Sequence, residues 1–170
     1  MEHGDKYKGL YRSATARAQW HDYNGGAYFI TICTHQHRHY FGEILDGKMR
    51  LTQVGECAAK YLEMIPVLHQ DFIIEAAVVM PNHVHAIIST YLPHEIAKGL
   101  DGGNNHYSGL SRIVQSYKSA VTKFARSKGI EFGWQPRFYD RIIRNRRELE
   151  SIIRYIATNI ENWELDHECR

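Results

Sequence analysis

The sequence has few cysteines, no long apolar run and little excess charge. Its three cysteines are Cys33, Cys57 and Cys169, with no CxxC pair. An odd number at such wide spacing argues against a disulfide framework and a cysteine-rich zinc knuckle, and predicts three free thiols. No stretch approaches the roughly 20 apolar residues of a membrane-spanning helix, and the N-terminus lacks the pattern of a secretory signal. These absences predict a cytoplasmic protein.

The composition is that of one ordinary globular domain. The chain has 170 residues, of which 44% are hydrophobic and 24% are charged. This length suits a single buried core, and there is no internal repeat. Residues 1–24 are polar and show no sustained period, so they are predicted to form an N-terminal arm, and residues 25–170 are predicted to form one domain.

The net charge of +2 is too small to indicate nucleic-acid binding, but the positive charge is unevenly distributed. Six arginines crowd one short segment beside an aromatic run: Arg137, Arg141, Arg144, Arg146, Arg147 and Arg154. A solvated face is the commoner explanation of such a cluster. The aromatic neighbours favour a phosphate-binding surface.

The hydrophobic pattern predicts strands interrupted by three helices. Strands are expected at AYFITICT, HYFGEIL, KMRLT, IIEAAVVM and HVHAIIST, with a hairpin turn at Asp46-Gly47. Helices are expected from a cap at Thr52 to about Leu68, from about Ser111 to Lys128, and from near Arg147 to near Trp163, with a glycine-rich loop at 92–109. The predicted class is α+β, an antiparallel sheet with helices packed on one face.

One pair of histidines is spaced to bind a metal ion. His83 and His85 lie at i and i+2 of a predicted strand, so both imidazoles project from the same face. An ion needs a third ligand, and the amide oxygen of Asn159 suits Mg²⁺ or Mn²⁺. On the last predicted helix Asn159 lies one turn after Tyr155, which would place a phenol beside the ion. Each of these residues taken alone has a more ordinary structural explanation.

In combination and order, these motifs resemble a known family. The sequence is similar to the REP-associated tyrosine transposases and the IS200-like single-strand transposases of insertion sequences, which belong to the HUH nuclease superfamily. The likeness covers most of the chain and lies in YFITICT with FGEI, VVMPNHVHAII, RIVQSYKSAVTKFAR, WQPRFYDRIIRN and IIRYIATNIENW. Ile160 departs from the REP-associated pattern, which often has proline there.

The resemblance implies a fold, a reaction and a partner. The fold would be the ferredoxin-like or RRM-like sandwich of HUH nucleases. His83, His85 and Asn159 would hold the divalent ion, and Tyr155 would be the catalytic nucleophile. The enzyme would cut and rejoin single-stranded DNA that forms hairpins, through a 5′-phosphotyrosine. Insertion-sequence relatives are dimers, so a homodimer is also expected.

Further basic and aromatic residues are predicted to bind the DNA strand. Beside the six arginines they are Lys118, Lys123, Trp134 and Tyr139, with Phe138 and Trp163 as further aromatic faces. Base stacking on an aromatic ring contributes roughly 1 to 3 kcal/mol per base. Core packing is expected for at least two of these four aromatics. Tyr139 is also the rival nucleophile, although it has no companion polar residue placed to reach the ion.

Two other functions fit parts of the sequence. A non-catalytic nucleic-acid-binding module would also be a sheet backed by helices, but the aromatic strand pattern of RNA-recognition domains is missing. A replication initiator or relaxase would share the HUH site, but the chain is short for one. A second histidine set, His35, His37 and His39, lies in a predicted connection and is interpreted as solvent-exposed.

Overall fold

The computed structural model describes residues 26–90 and 109–163, together with the backbone of two short strands near the N-terminus. These strands, β1 (Lys6–Tyr7) and β2 (Leu10–Tyr11), pair antiparallel. The rest of the predicted arm lies outside the described residues. So does the predicted loop at 92–109, apart from its last residue.

The domain is built on a four-stranded antiparallel sheet in the order β6-β7-β3-β8. Its strands are β3 (Ala27–Cys33), β6 (Phe72–Met80), β7 (His83–Thr90) and β8 (Tyr139–Ile143). A separate hairpin pairs β4 (Gly42–Leu45) with β5 (Lys48–Leu51). The helices are α1 (Gln53–Leu68), α2 (Gly109–Ser127) and α3 (Arg146–Ala157). Of the helices that the structure describes, none is both long and apolar enough to cross a membrane.

The central strand β7 divides the apolar residues between two faces of the sheet. Val84, Ala86 and Ile88 enter the main core, which α1 and α2 cover together. The opposite face carries His83, His85 and Ile87, and Ile87 packs against the apolar stripe of α3. The predicted antiparallel sheet with helices is confirmed, and α1 and α2 share one face as expected. The third helix covers the other face, the one that carries the histidines.

Local signals located the hairpin and the first helix correctly. Asp46 and Gly47 both have positive φ, 52° and 68°, as a two-residue hairpin turn requires. The Thr52 side chain caps α1 by accepting a hydrogen bond from the Gly55 backbone N–H at 3.1 Å. Asn145 caps α3 in the same way, accepting from Glu148 N at 2.9 Å.

Two features near the C-terminus differ from the prediction. Strand β8 was not expected, because Asp140 and Arg141 interrupt its apolar pattern and its pairing partner, β3, is about a hundred residues away in sequence. Helix α3 ends at Ala157 instead of near Trp163, since Thr158 forms its C-cap and turns follow. Asn159 therefore lies just after the helix.

The prediction of three free thiols is wrong for Cys33. Cys57 is a free, buried thiol in α1, whereas Cys33 at the end of β3 is disulfide-bonded. Cys169 lies outside the described residues. Spacing along the chain does not fix the distance between cysteines in the fold, which is why the sequence misled here.

Gly55 is required by a close approach of two backbones. A Cβ at this position would lie 2.0 Å from the carbonyl oxygen of Phe41, which precedes β4. We expect Gly55→Ala to lower the free energy of unfolding by about 1 to 3 kcal/mol, because the helix must move away from Phe41. Urea denaturation measures the change. Gln53→Ala, at an exposed position in the same turn, is the matched control and should stay within about 0.5 kcal/mol of wild type.

Candidate active site

Two buried histidines face each other on the sheet surface beneath α3. His83 and His85 are both 0% exposed. Their Nε2 atoms are 3.0 Å apart, and their ring centroids are 4.4 Å apart. The i, i+2 spacing of the two histidines on β7 therefore directs both imidazoles to one point, as the sequence predicted.

The other ring nitrogen of each histidine has its own buried partner. His83 Nδ1 lies 2.8 Å from the side-chain oxygen of Asn82. His85 Nδ1 lies 2.9 Å from the hydroxyl of Thr31, which is its register partner on β3. These contacts fix the orientation of both rings.

Helix α3 brings a tyrosine to the histidine pair within the same chain. The hydroxyl oxygen of Tyr155 lies 3.3 Å from His85 Nε2. Its ring stands at a steep angle to His85, with centroids 5.4 Å apart, and edge-on to Phe29 at 6.0 Å. The Tyr155 side chain is half-buried.

Asn159 follows Tyr155 by four residues and is almost completely buried, at 1% exposure. Its side-chain oxygen makes no hydrogen bond. Trp163, four residues later, stacks on His83 with centroids 6.0 Å apart and 25° between the ring planes. Since Tyr155 and Trp163 both contact the histidines, the segment between them runs beside the pair.

Two imidazole nitrogens and a buried amide oxygen without a partner fit a divalent ion that accepts mixed nitrogen and oxygen ligands. An unsatisfied buried oxygen costs about 1 to 3 kcal/mol, so its retention needs a reason. Within the ranges 26–90 and 109–163, no group of three or more His, Cys, Asp or Glu side chains could hold an ion. An ion at the histidine pair would therefore need ligands of other kinds, such as amide or substrate oxygens.

Five of the six predicted DNA-binding arginines lie in α3 or beside its first turn, whereas Arg137 lies beside α2. All six are exposed: Arg137, Arg141, Arg144, Arg146, Arg147 and Arg154. Two of them are paired with acidic residues, Arg141 with Glu148, and Arg146 with Glu150 at 2.9 Å. Exposed pairs of this kind contribute little stability and can be exchanged for phosphate contacts. Lys123 on α2 is also exposed.

Lys118 is half-buried and bonded to the backbone of the segment before β8. Its ammonium group donates to the carbonyl oxygens of Gln135 at 2.8 Å and Arg137 at 2.9 Å. Burial lowers the pKa of Lys118 to about 8. Trp134 covers it, with the ammonium 5.5 Å from the ring centroid. These bonds fasten the segment before β8 to α2.

The predicted stacking aromatics divide into two groups. Trp134 donates its indole N–H to the carbonyl of Lys118 at 3.1 Å and packs on the main core, and Phe138 is buried there. The expectation that at least two aromatics serve the core is thus met. Tyr139 is half-buried and is the register partner of Thr31, so it shares the face of the histidines. Trp163 borders the site directly.

Three residues of this site were not assigned to it from the sequence. Thr31 and Asn82 contact the histidines, and Trp163 was considered only for base stacking. Thr31 is a polar residue inside the apolar run of β3, which is a weak signal for a site on that face. In the second histidine set His35 and His39 are exposed as expected, whereas His37 is half-buried. The rings of His39 and Trp163 are in edge contact, with centroids 5.7 Å apart.

Comparison with known proteins agrees with this architecture. No protein-family model matches the chain. An uncharacterized protein of Haemophilus influenzae is 30% identical over 168 residues, with 93% of each chain covered. The solved structure of a REP-associated tyrosine transposase bound to a REP hairpin matches with a TM-score of 0.55 and 24% identity, over 82% of this chain and 68% of that chain. The resemblance drawn from the sequence motifs is therefore confirmed in the fold. The chain belongs to the family of the Haemophilus influenzae protein, and it has the fold of the REP-associated tyrosine transposase.

Proposed function

We propose that the protein is a metal-dependent tyrosine transposase that cleaves and rejoins single-stranded DNA. One observation carries the proposal: the Tyr155 hydroxyl lies 3.3 Å from His85 Nε2, which faces His83 Nε2 at 3.0 Å. A phenol held beside two buried imidazoles is placed to act as a nucleophile next to a metal ion that those imidazoles would bind.

The reaction is a transesterification at phosphorus. The Tyr155 oxygen forms a bond to the scissile phosphorus as the bond to the 3′ oxygen breaks. The phenol loses its proton, the departing oxygen gains one, and the products are a 5′-phosphotyrosine and a 3′-hydroxyl. Because one phosphodiester replaces another, a 3′-hydroxyl can later reverse the step without ATP.

A divalent ion, Mg²⁺ or Mn²⁺, held by His83, His85 and Asn159, would polarise the phosphate and lower the negative charge around it. The protein's own groups orient the nucleophile. Phe29 and His85 contact the Tyr155 ring at centroid distances of 6.0 and 5.4 Å, which limits its rotation. A free phenol has a pKa of about 10, so deprotonation of Tyr155 must be assisted where the phosphate binds.

The DNA strand is proposed to lie over the exposed surface around α3. Arg154 directly precedes Tyr155, and Arg144, Arg146 and Arg147 surround the start of the same helix. Tyr139 and Trp163 offer aromatic rings near the histidines. Trp134 and Lys118 are left out of this surface because hydrogen bonds engage them elsewhere: Trp134 donates to the Lys118 carbonyl, and Lys118 donates to the Gln135 carbonyl. The solved transposase binds a REP hairpin, and a hairpin-forming single strand is the substrate proposed here.

A non-catalytic nucleic-acid-binding module is the competing function. Such a module has no use for two imidazoles and an unsatisfied amide oxygen buried together, which would cost stability without benefit. The predicted homodimer is retained as a proposal. Tyr155 reaches the histidines of its own chain, so the site as described needs no residue from a second copy.

The test is trapping of the covalent intermediate. The full chain is incubated with a 5′- or 3′-labelled pool of single-stranded hairpins with randomised flanks and with Mn²⁺, and the products are run on a denaturing gel. We expect a protein–DNA adduct that requires the ion, disappears with EDTA, and forms poorly on blunt duplex. His83→Ala should abolish it. Binding of the hairpins without any adduct or cleavage, at every ion tested, would favour the non-catalytic module.

A further inference from the structure

We propose that a basic groove along α2 binds the phosphate backbone of the paired stem of a DNA hairpin. Helix α2 covers the face of the sheet opposite the histidines, so this groove is separate from the surface around α3. The inference rests on the proposed function only in its choice of a DNA hairpin as the partner.

The α2 groove consists of two adjoining cavities of about 340 and 320 Å³, and Lys118 and Ser119 line both. Arg137, from the segment before β8, borders the first cavity, and Lys123 and Arg126 border the second. Four basic side chains therefore line the groove. None of the described residues that line it is Asp or Glu. A concave surface lined by charge of one sign concentrates its field and attracts a polyanion.

The positive charges of the groove are available to an anion. Lys123, Arg126 and Arg137 are exposed. The ion pairs of the described part of the chain involve neither Lys123 nor Arg126. Lys118 adds a charge that is fixed in place, because its ammonium group donates to the carbonyl oxygens of Gln135 and Arg137. Exposed cations above a fixed one fit a row of phosphates.

The backbone of Arg137 is held in a conformation that residues other than glycine rarely adopt. Its φ is 66°, in the left-handed region. Lys118 bonds its carbonyl oxygen at 2.9 Å, and the next residue, Phe138, is buried. Strained backbone that the surrounding fold maintains is concentrated at functional positions. Here it places an exposed arginine beside the groove, between α2 and β8.

The lining of the groove suits paired bases better than unpaired ones. Phe138 is the aromatic residue among the described residues that line it, and it is only 8% exposed. Surfaces that bind single strands add exposed aromatic rings on which bases stack. In a duplex the bases stack on each other, and contacts to phosphates are sufficient for binding. From Gln115 to Arg126 helix α2 rises about 17 Å, which spans about five phosphates of one duplex strand.

Strand β8 connects the groove with the histidine face. It is an edge strand of the sheet, and Arg137 precedes it at the groove. Tyr139, two residues later, is the register partner of Thr31 and faces the histidine side. A strand that leaves the stem can therefore reach the candidate active site by passing around this edge.

The test compares two double variants by hairpin affinity. Fluorescence anisotropy measures binding of a labelled DNA hairpin to the full chain in EDTA, over a series of salt concentrations. We expect Lys123→Gln with Arg126→Gln to weaken binding about 10- to 100-fold at low salt. The slope of log affinity against log salt should become shallower by about 2, because each phosphate contact contributes about 0.9 to it. Lys48→Gln with Arg50→Gln removes the same charge from exposed positions on β5, outside the groove, and should change the affinity less than about 3-fold.

Each other outcome has a definite meaning. Equal affinity and slope in the two double variants would refute the α2 groove. An unpaired strand that loses as much affinity as the hairpin would refute its assignment to a stem. Displacement of the hairpin by poly-glutamate as efficiently as by unlabelled hairpin would indicate a site for acidic protein segments instead. Groove-dependent binding without any covalent adduct in Mn²⁺ would refute the transposase and leave the groove, whereas an adduct with no effect of the groove variant would do the reverse.

Discussion

Tyr155→Phe is expected to eliminate the covalent protein–DNA adduct and to reduce strand cleavage by on the order of 10³-fold or more. The phenylalanine ring keeps the contacts with Phe29 and His85, while the single oxygen that lies 3.3 Å from His85 Nε2 is lost. Removing only the hydroxyl of the proposed nucleophile should leave the fold and the proposed ion ligands intact. Quantitative denaturing gels measure the loss, and thermal denaturation should show nearly wild-type stability.

Tyr139→Phe is the decisive comparison, because Tyr139 is the rival nucleophile. It lies on the same face of the sheet, but on β8, with Thr31 of β3 between it and His85. Adjacent strands are about 4.8 Å apart, which places its backbone roughly 10 Å from that of His85. We expect the adduct to persist in this variant. An adduct that survives Tyr155→Phe and disappears in Tyr139→Phe would show that the nucleophile is Tyr139 on β8 and not Tyr155 on α3.

The parts of the site that lie on one strand could be read from the sequence. A strand places residues i and i+2 on the same face, so His83 and His85 were paired by spacing alone. The helix cap at Thr52 and the turn at Asp46-Gly47 were also predicted correctly, because each depends only on residues a few positions apart in sequence.

Contacts between distant segments could not be read in this way. Thr31 meets His85 only because β3 pairs with β7 in one register, 54 residues apart, and the sequence does not specify that register. Strand β8 was missed because its place in the sheet depends on β3 and its own pattern is weak. That α3 lies over the histidines, on the face opposite α1 and α2, likewise depends on how its stripe of Ile152 and Ile156 packs.

The second large effect is expected at Asn159, where function and stability should separate. Asn159→Ala removes the proposed third ligand, so we expect Mn²⁺ affinity to fall about 10- to 100-fold, and cleavage with it. The free energy of unfolding without metal should change by less than about 1 kcal/mol, or rise slightly, because the deleted oxygen is buried without a hydrogen bond. Calorimetry with Mn²⁺ and urea denaturation in EDTA measure the two quantities.

Ile156→Ala is the matched control for this separation. Ile156 lies in the last turn of α3, is 4% exposed, and packs against Ile87 on the histidine face. Its truncation should cost about 2 to 5 kcal/mol of stability through the cavity it leaves, with a smaller loss of ion affinity in the molecules that remain folded. The two variants should therefore rank in opposite order in the two measurements. If Asn159→Ala were as destabilising as Ile156→Ala while binding Mn²⁺ as wild type does, Asn159 would be a packing residue, and the ion would have to take its third ligand elsewhere.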